Sequence, residues 1–155
     1  MGPLINGHAV SKVRRLLDDA VTKGALVHAG GRLHRLGGNF YEPTVLSGVT
    51  GDMKIAHEEI FGPVLAVRSF STDEEAIELA NASESGLAAY LYTNNAKRMF
   101  DVPGRLEFGM VGVNEGVFST EVAPFGGRKA SGFGREGSKY GLNDYLDMKL
   151  VCMRL

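Results

Sequence analysis

PVLAVRSFSTDEEAIELANA, residues 63–82, opens on a run of apolar and branched residues and closes on a polar, periodic one. Pro63–Phe70 reads as a strand, and Ser71-Thr72-Asp73-Glu74 has the pattern of a capping box that starts a helix running to about Ala82. The alternation then repeats. Leu87–Thr93 reads as a strand, Asn95–Leu106 as a helix, and Gly109–Asn114 as a strand of small and branched residues suited to burial. Three strands joined by two helical crossovers imply an α/β fold with a mainly parallel sheet. Pro103-Gly104 interrupts the second crossover and predicts a break or kink near Val102.

Outward from this centre the pattern is less regular. On the N-terminal side Val10, Val13, Leu16, Leu17, Ala20 and Val21 recur at helical spacing up to Gly24, a residue suited to ending a helix. Ala25–Ala29 and Tyr41–Leu46 read as short strands. On the C-terminal side Glu115–Ser138 is glycine-rich and aperiodic, which predicts a long irregular loop; loops of that length commonly carry function. Tyr140–Tyr145 reads as a short helix, and Asp147–Arg154 alternates like a terminal strand.

Composition narrows the class of protein. With 155 residues, 17 Lys+Arg against 18 Asp+Glu and a net charge of −1, the chain is one domain's worth of sequence and lacks the basic excess of a nucleic-acid or membrane-surface binder. No apolar run approaches the roughly 20 residues that span a bilayer, and the first residues do not read as a signal peptide, so a soluble, cytoplasmic protein is expected. Cys152 is the one cysteine, so no internal disulfide forms. The four histidines, His8, His28, His34 and His57, lack ligand spacing, and no metal site is expected. Glycine, at 21 residues, is about twice its usual share of roughly 7%. Gly30-Gly31 and Gly37-Gly38 are not a dinucleotide fingerprint, because no G-x-G-x-x-G follows a strand and opens a helix.

Two stretches are candidates for chemistry. In HEEIFGPV, residues 57–64, two carboxylates run into an apolar turn; a carboxylate there can accept both hydrogen bonds of a vicinal diol while the Phe ring packs on a flat heterocycle. The plainer reading is an exposed acidic pair beside a buried Phe, and His57 reads as structural. In NEGVFSTEVAPFGGRKASGFGREG, residues 114–137, glycines let backbone pass close to a ligand, and Ser119, Thr120 and Phe125 could line a pocket. There the plainer reading is a packing loop. Cys152, in an alternating apolar stretch with no base beside it, reads as a buried inert thiol. Arg128, Lys129, Arg135 and Lys139 read as a solvated basic face.

GPLIN (residues 2–6), EEIFGPV (58–64), GMVGVNEG (109–116) and PFGGRKASGFGREGSKYG (124–141) together resemble the aldehyde dehydrogenase superfamily, across essentially the whole chain. EVAPFGG and SGFGREGSKYG look most like its bacterial succinate-semialdehyde dehydrogenase branch. The resemblance implies a Cys thiolate attacking an aldehyde, hydride passing to NAD or NADP, and a Glu-activated water hydrolysing the thioester. In the family the nucleophile, the general base, the oxyanion-hole Asn and the Rossmann-like cofactor domain precede the GPLI motif. The chain therefore resembles a C-terminal portion: residues 1–145 the later part of the catalytic domain, residues 146–155 an oligomerisation strand and tail. No catalytic residue is assigned within it, and alone it is expected to be inactive and to bind cofactor weakly.

By position in the motifs, Glu59 corresponds to the carboxylate that holds the nicotinamide ribose and Phe61 to the ring beside it. Phe125 corresponds to an aromatic lining the aldehyde tunnel. Ser119 corresponds to the residue that, with two arginines outside this chain, hydrogen-bonds the distal carboxylate of succinic semialdehyde. The implied partners are a small semialdehyde and further copies of the chain, with no nucleic acid or membrane. A longer substrate such as glutarate semialdehyde, or a non-catalytic oligomerising module, are the alternative readings.

Overall fold

The computed structural model describes residues 1–117 and 119–154. The chain divides into two compact units, Met1–Phe70 and Ser71–Leu155.

The first unit is built on helix α1, Gly7–Thr22. Asn6 caps it, its side-chain oxygen accepting the Ala9 amide at 3.0 Å. At the other end Gly24 takes φ +102°, which lets its amide reach the Val21 carbonyl at 3.0 Å and the Ala25 amide reach that of Ala20 at 2.9 Å. This is a Schellman closure, at the residue where the sequence predicts the helix to stop. Val10, Val13, Leu16, Leu17 and Ala20 are buried. They belong to one core with Tyr41, Leu46, Val49, Met53 and Ile55. The sheet of this unit has the order β1 (Leu26–Ala29), β2 (Thr44–Ser47), β3 (Val64–Ala66), with β1–β2 antiparallel and β2–β3 parallel. On central strand β2 the buried Thr44 hydroxyl donates to the Glu42 carbonyl and accepts the Gly31 amide, so its burial leaves nothing unpaired. Gly30 is required here, because a Cβ would collide with the Pro43 carbonyl oxygen.

The second unit contains α2 (Asp73–Asn81) and α3 (Ala96–Arg105), with a parallel pair, β5 (Ala88–Leu91) and β6 (Met110–Val113). An antiparallel pair joins β4 (Ser85–Gly86) to β7 (Arg128–Lys129). The core is small: Ile77, Val102 and Leu106 are buried, with Ala89, Leu91, Phe108 and Val111 packed against them.

The α/β class stands, but the mainly parallel sheet does not. The described residues form three small sheets with two parallel and two antiparallel strand pairings. β3 finds its partner in β2 rather than continuing into β5, so the expected succession of crossovers is divided between the units. The helix cap lies one residue later than expected: Thr72 Oγ1 accepts the Glu75 amide at 3.1 Å, and Glu75 Oε2 accepts that of Ser71 at 2.7 Å. Nor does α3 break at Val102. Pro103 sits in its last turn, and the Leu106 amide still reaches the Val102 carbonyl at 3.2 Å.

The strand expected at 147–154 does not form. Those residues carry no assigned strand, with Met148 99% and Leu150 94% exposed; a strand needs a neighbour for its ladder, and among the described residues none pairs with them. Cys152 is exposed there, not buried as expected.

Candidate functional site

In the first unit, residues 57–63 lie across α1 through three contacts. Gly62 packs onto the helix so closely that a Cβ would fall 2.5 Å from Val13 Cγ2. Arg15 donates to both oxygens of Glu58, at 3.0 and 2.5 Å, and this hydrogen bonding holds the Glu58 carboxyl below its usual range. Lys12 Nζ stands 5.6 Å from the centre of the Phe61 ring, a cation–π distance. His57 bonds the Gly51 carbonyl, the structural role expected of it.

These contacts sort the acidic pair. Glu58 is committed to Arg15, whereas Glu59, also exposed, has no hydrogen bond or ion pair among the described residues. Phe61 was expected as the buried member of a plain turn or as a stacking ring. It is 74% exposed, at φ +45°, a left-handed conformation uncommon for a bulky residue and stabilised by the fixed residues on either side. A free carboxylate acceptor two residues from an exposed ring is suited to the hydroxyls of a ribose and a flat heterocycle. The positions therefore fit a nicotinamide nucleotide. Sequence reading missed Lys12 and Arg15; their i,i+3 spacing on the polar side of α1 was the available signal.

In the second unit, the parallel β5–β6 pair is stapled at its C-terminal end by Asn114. At φ +54°, its side chain accepts the Thr93 amide at 2.8 Å and donates to the Thr93 carbonyl at 2.9 Å. The chain then enters the glycine-rich segment. Phe125 and Glu136 pair antiparallel, amide to carbonyl at 2.9 and 2.7 Å, which turns the expected irregular loop into a closed hairpin-like lobe. Arg135 fills that lobe, donating to the carbonyls of Gly127, Phe133 and Gly134.

Ser119 and Phe125 line one cleft of about 280 Å³, whose other walls include Leu87, Ala88, Met110 and Val117. None of the described lining residues carries a charge. The Ser119 hydroxyl has no hydrogen-bond partner among the described residues. Phe125, 37% exposed, also borders a larger concavity of about 760 Å³ under the lobe. Thr120, the third pocket candidate, does not line the cleft; its hydroxyl faces Glu121. The solvated basic face is revised in part: Arg128 and Lys139 are exposed, but Lys129 and Arg135 are tied to carbonyls and a carboxylate. Among the described residues no group of three or more His, Cys, Asp or Glu could hold a metal, and no helix is long and apolar enough to cross a membrane.

Residues 1–151 match the Aldehyde dehydrogenase family. A mitochondrial succinate-semialdehyde dehydrogenase of Oryza sativa is 55% identical over 152 residues, covering 98% of this chain and 29% of the relative. A 3-sulfolactaldehyde dehydrogenase of Pseudomonas putida is 54% identical over 98% of this chain and 31% of its own length. The crystal structure of an E. coli NADP dependent enzyme superposes with a TM-score of 0.93 at 51% identity, covering all of this chain and 32% of that one. The chain thus spans about three-tenths of the length of the relatives it matches. The resemblance drawn from the motifs is corrected in two respects. A bacterial branch does not stand, since a plant mitochondrial enzyme matches as well as a bacterial one. The C-terminal assignment does not stand either: the match takes up 29% of the relative, and what it establishes is a segment of that extent. Motifs, fold and near-complete coverage agree on the broader level, and the chain belongs to the aldehyde dehydrogenase family.

Proposed function

We propose that this chain is a substrate-facing segment of an NAD(P)-dependent dehydrogenase that oxidises succinic semialdehyde to succinate. The observation that supports the reading is the uncharged cleft in which the Ser119 hydroxyl and the Phe125 ring meet among mostly apolar walls, with Tyr90 as a further polar-tipped lining residue. A four-carbon aldehyde with a distal anion needs apolar walls for its methylenes and hydrogen-bond donors for its carboxylate. Ser119 supplies one such donor. The hydroxyl is neutral, and a positive charge to pair with the carboxylate is expected from outside this segment.

Oxidation of the aldehyde to the carboxylate takes hydride from its carbonyl carbon and oxygen from water, with release of two protons, and a nicotinamide held by Glu59 and Phe61 would supply the hydride acceptor. Within this chain Glu59 accepts hydrogen bonds from ribose hydroxyls, and Phe61, fixed by Gly62 on α1, presents a flat apolar face beside them. Cys152 lies exposed in the irregular tail, so we assign it no nucleophilic role and expect turnover only from the longer protein. A sulfonated aldehyde is the second reading. It is favoured by similarity to the 3-sulfolactaldehyde enzyme, and the uncharged cleft selects neither anion.

Homo-oligomer formation through the exposed apolar tail, from Leu146 to Met153, belongs to the same proposal, as does a cytoplasmic location, which cell fractionation tests. For the activity, NAD or NADP reduction is followed with succinic semialdehyde in the complete protein, wild type beside Ser119→Ala. A rise in aldehyde KM in the variant supports the reading, and an unchanged KM removes it.

A further inference from the structure

We propose that Lys129 is a positioning residue that latches the glycine-rich lobe to the ends of both helices of its unit and so sets the Phe125 wall of the cleft. Its ammonium donates to the Asn81 carbonyl at 2.7 Å, to the Ser83 carbonyl at 3.1 Å and to Glu107 Oε2 at 2.6 Å. All three donors of the group are therefore used. Asn81 extends the latch: its side chain donates to the Arg105 carbonyl at 2.9 Å and accepts the Glu107 amide at 2.8 Å. One lysine thus ties the end of α2, the segment after α3 and β7 to a single point. Its side chain is 25% exposed, far from a freely solvated surface lysine.

Two observations show that this point bears on the lobe. Lys129 sits at φ +55°, where glycine would be relaxed and a lysine is strained, so its side-chain contacts must offset that strain. The backbone leading back to Phe125 is also packed without slack. A Cβ on Gly109 would collide with the Gly126 carbonyl oxygen, and one on Gly127 would lie 2.5 Å from Ser131 Cβ. A shift at β7 therefore cannot be absorbed between Lys129 and Phe125. Lys129 also holds the Glu107 carboxyl below its usual range, consistent with a charge-assisted bond at the latch.

The link to aldehyde binding rests on the proposed function, but the latch is tested without activity. In the 155-residue chain, 4-fluorophenylalanine is placed at position 125 and its fluorine resonance recorded, with amide hydrogen exchange read by segment. Lys129→Met is expected to shift or broaden the resonance and to raise exchange across residues 124–137 by about tenfold, leaving 7–22 unchanged. Lys129→Arg, which keeps the charge, restores both in part. Glu107→Gln, which keeps the two carbonyl acceptors, gives a rise of about threefold confined to the lobe. If Lys129→Met does not fold, Glu107→Gln decides. A wild-type resonance and exchange in whichever variant folds overturns the latch. So does a rise in 88–91 and 96–105 equal to that in the lobe, which would make Lys129 a support of the whole unit. In the complete protein Lys129→Met is expected to raise aldehyde KM about tenfold with cofactor KM unchanged. A latch seen by fluorine with an unmoved aldehyde KM overturns only the cleft assignment.

Discussion

Arg15 grips both carboxylate oxygens of Glu58 across 43 residues of chain, at 3.0 and 2.5 Å, and in doing so separates two adjacent glutamates into a structural one and a free one. Because Arg15 depresses the folded-state pKa of Glu58, the contact stabilises above the ordinary carboxylate value and is lost as pH falls through the lowered one. A carboxyl titration by NMR is expected to show Glu58 with its midpoint below that of an ordinary glutamate. Arg15→Met should return that midpoint upward. An unchanged Glu58 midpoint in the variant contradicts the pairing.

Glu59 tests the other half of the sorting. In the complete protein Glu59→Gln keeps one acceptor oxygen in place of a charged pair, so cofactor KM should rise about tenfold while aldehyde KM holds. Glu58→Gln should move cofactor KM far less, through the loop alone. Equal effects of the two would show that the acidic pair acts as one charge.

Close backbone approach makes Gly109 irreplaceable. Gly109→Ala forces the added Cβ into the Gly126 carbonyl oxygen, and backbone cannot rotate away as a side chain can. Overpacking of this kind costs on the order of 3 kcal/mol, read as a lower denaturation midpoint for the second unit. Leu46→Ala, at a fully buried site of the first unit, should cost about 3 kcal/mol there. A neutral Gly109→Ala would place the lobe elsewhere.

The tail gives a prediction about assembly. Leu146, Met148, Leu150, Val151 and Met153 are all exposed, a patch that association would cover. Light scattering should give a mass above the monomer for the chain and a lower one for a Met148→Lys/Leu150→Lys variant. Equal masses would leave the tail without a role in assembly.

The sequence made local structure legible and pairing much less so. The end of α1 could be read, because apolar spacing and Gly24 are local signals that agree, whereas its start at Gly7 under the Asn6 cap lies before the periodic residues. The sheets could not. Their strands are two to four residues long, too short for periodicity to choose between β2 and β5 as the neighbour of β3. The candidate residues Glu59 and Phe61 in the first unit, and Ser119 and Phe125 in the second, came from the motifs. What fixes them was hidden: Arg15 lies 43 residues from Glu58 and Lys129 lies 48 from Asn81, separations at which no sequence pattern operates.

The central claim is that the Ser119 cleft receives the anionic end of a short aldehyde. The most direct measurement is the ratio of kcat/KM for succinic semialdehyde to that for butanal, in the complete protein and its Ser119→Ala variant. Losing one hydrogen bond to a charged group predicts a fall in that ratio of about tenfold or more. An unchanged ratio, whatever happens to the absolute rates, would contradict the assignment.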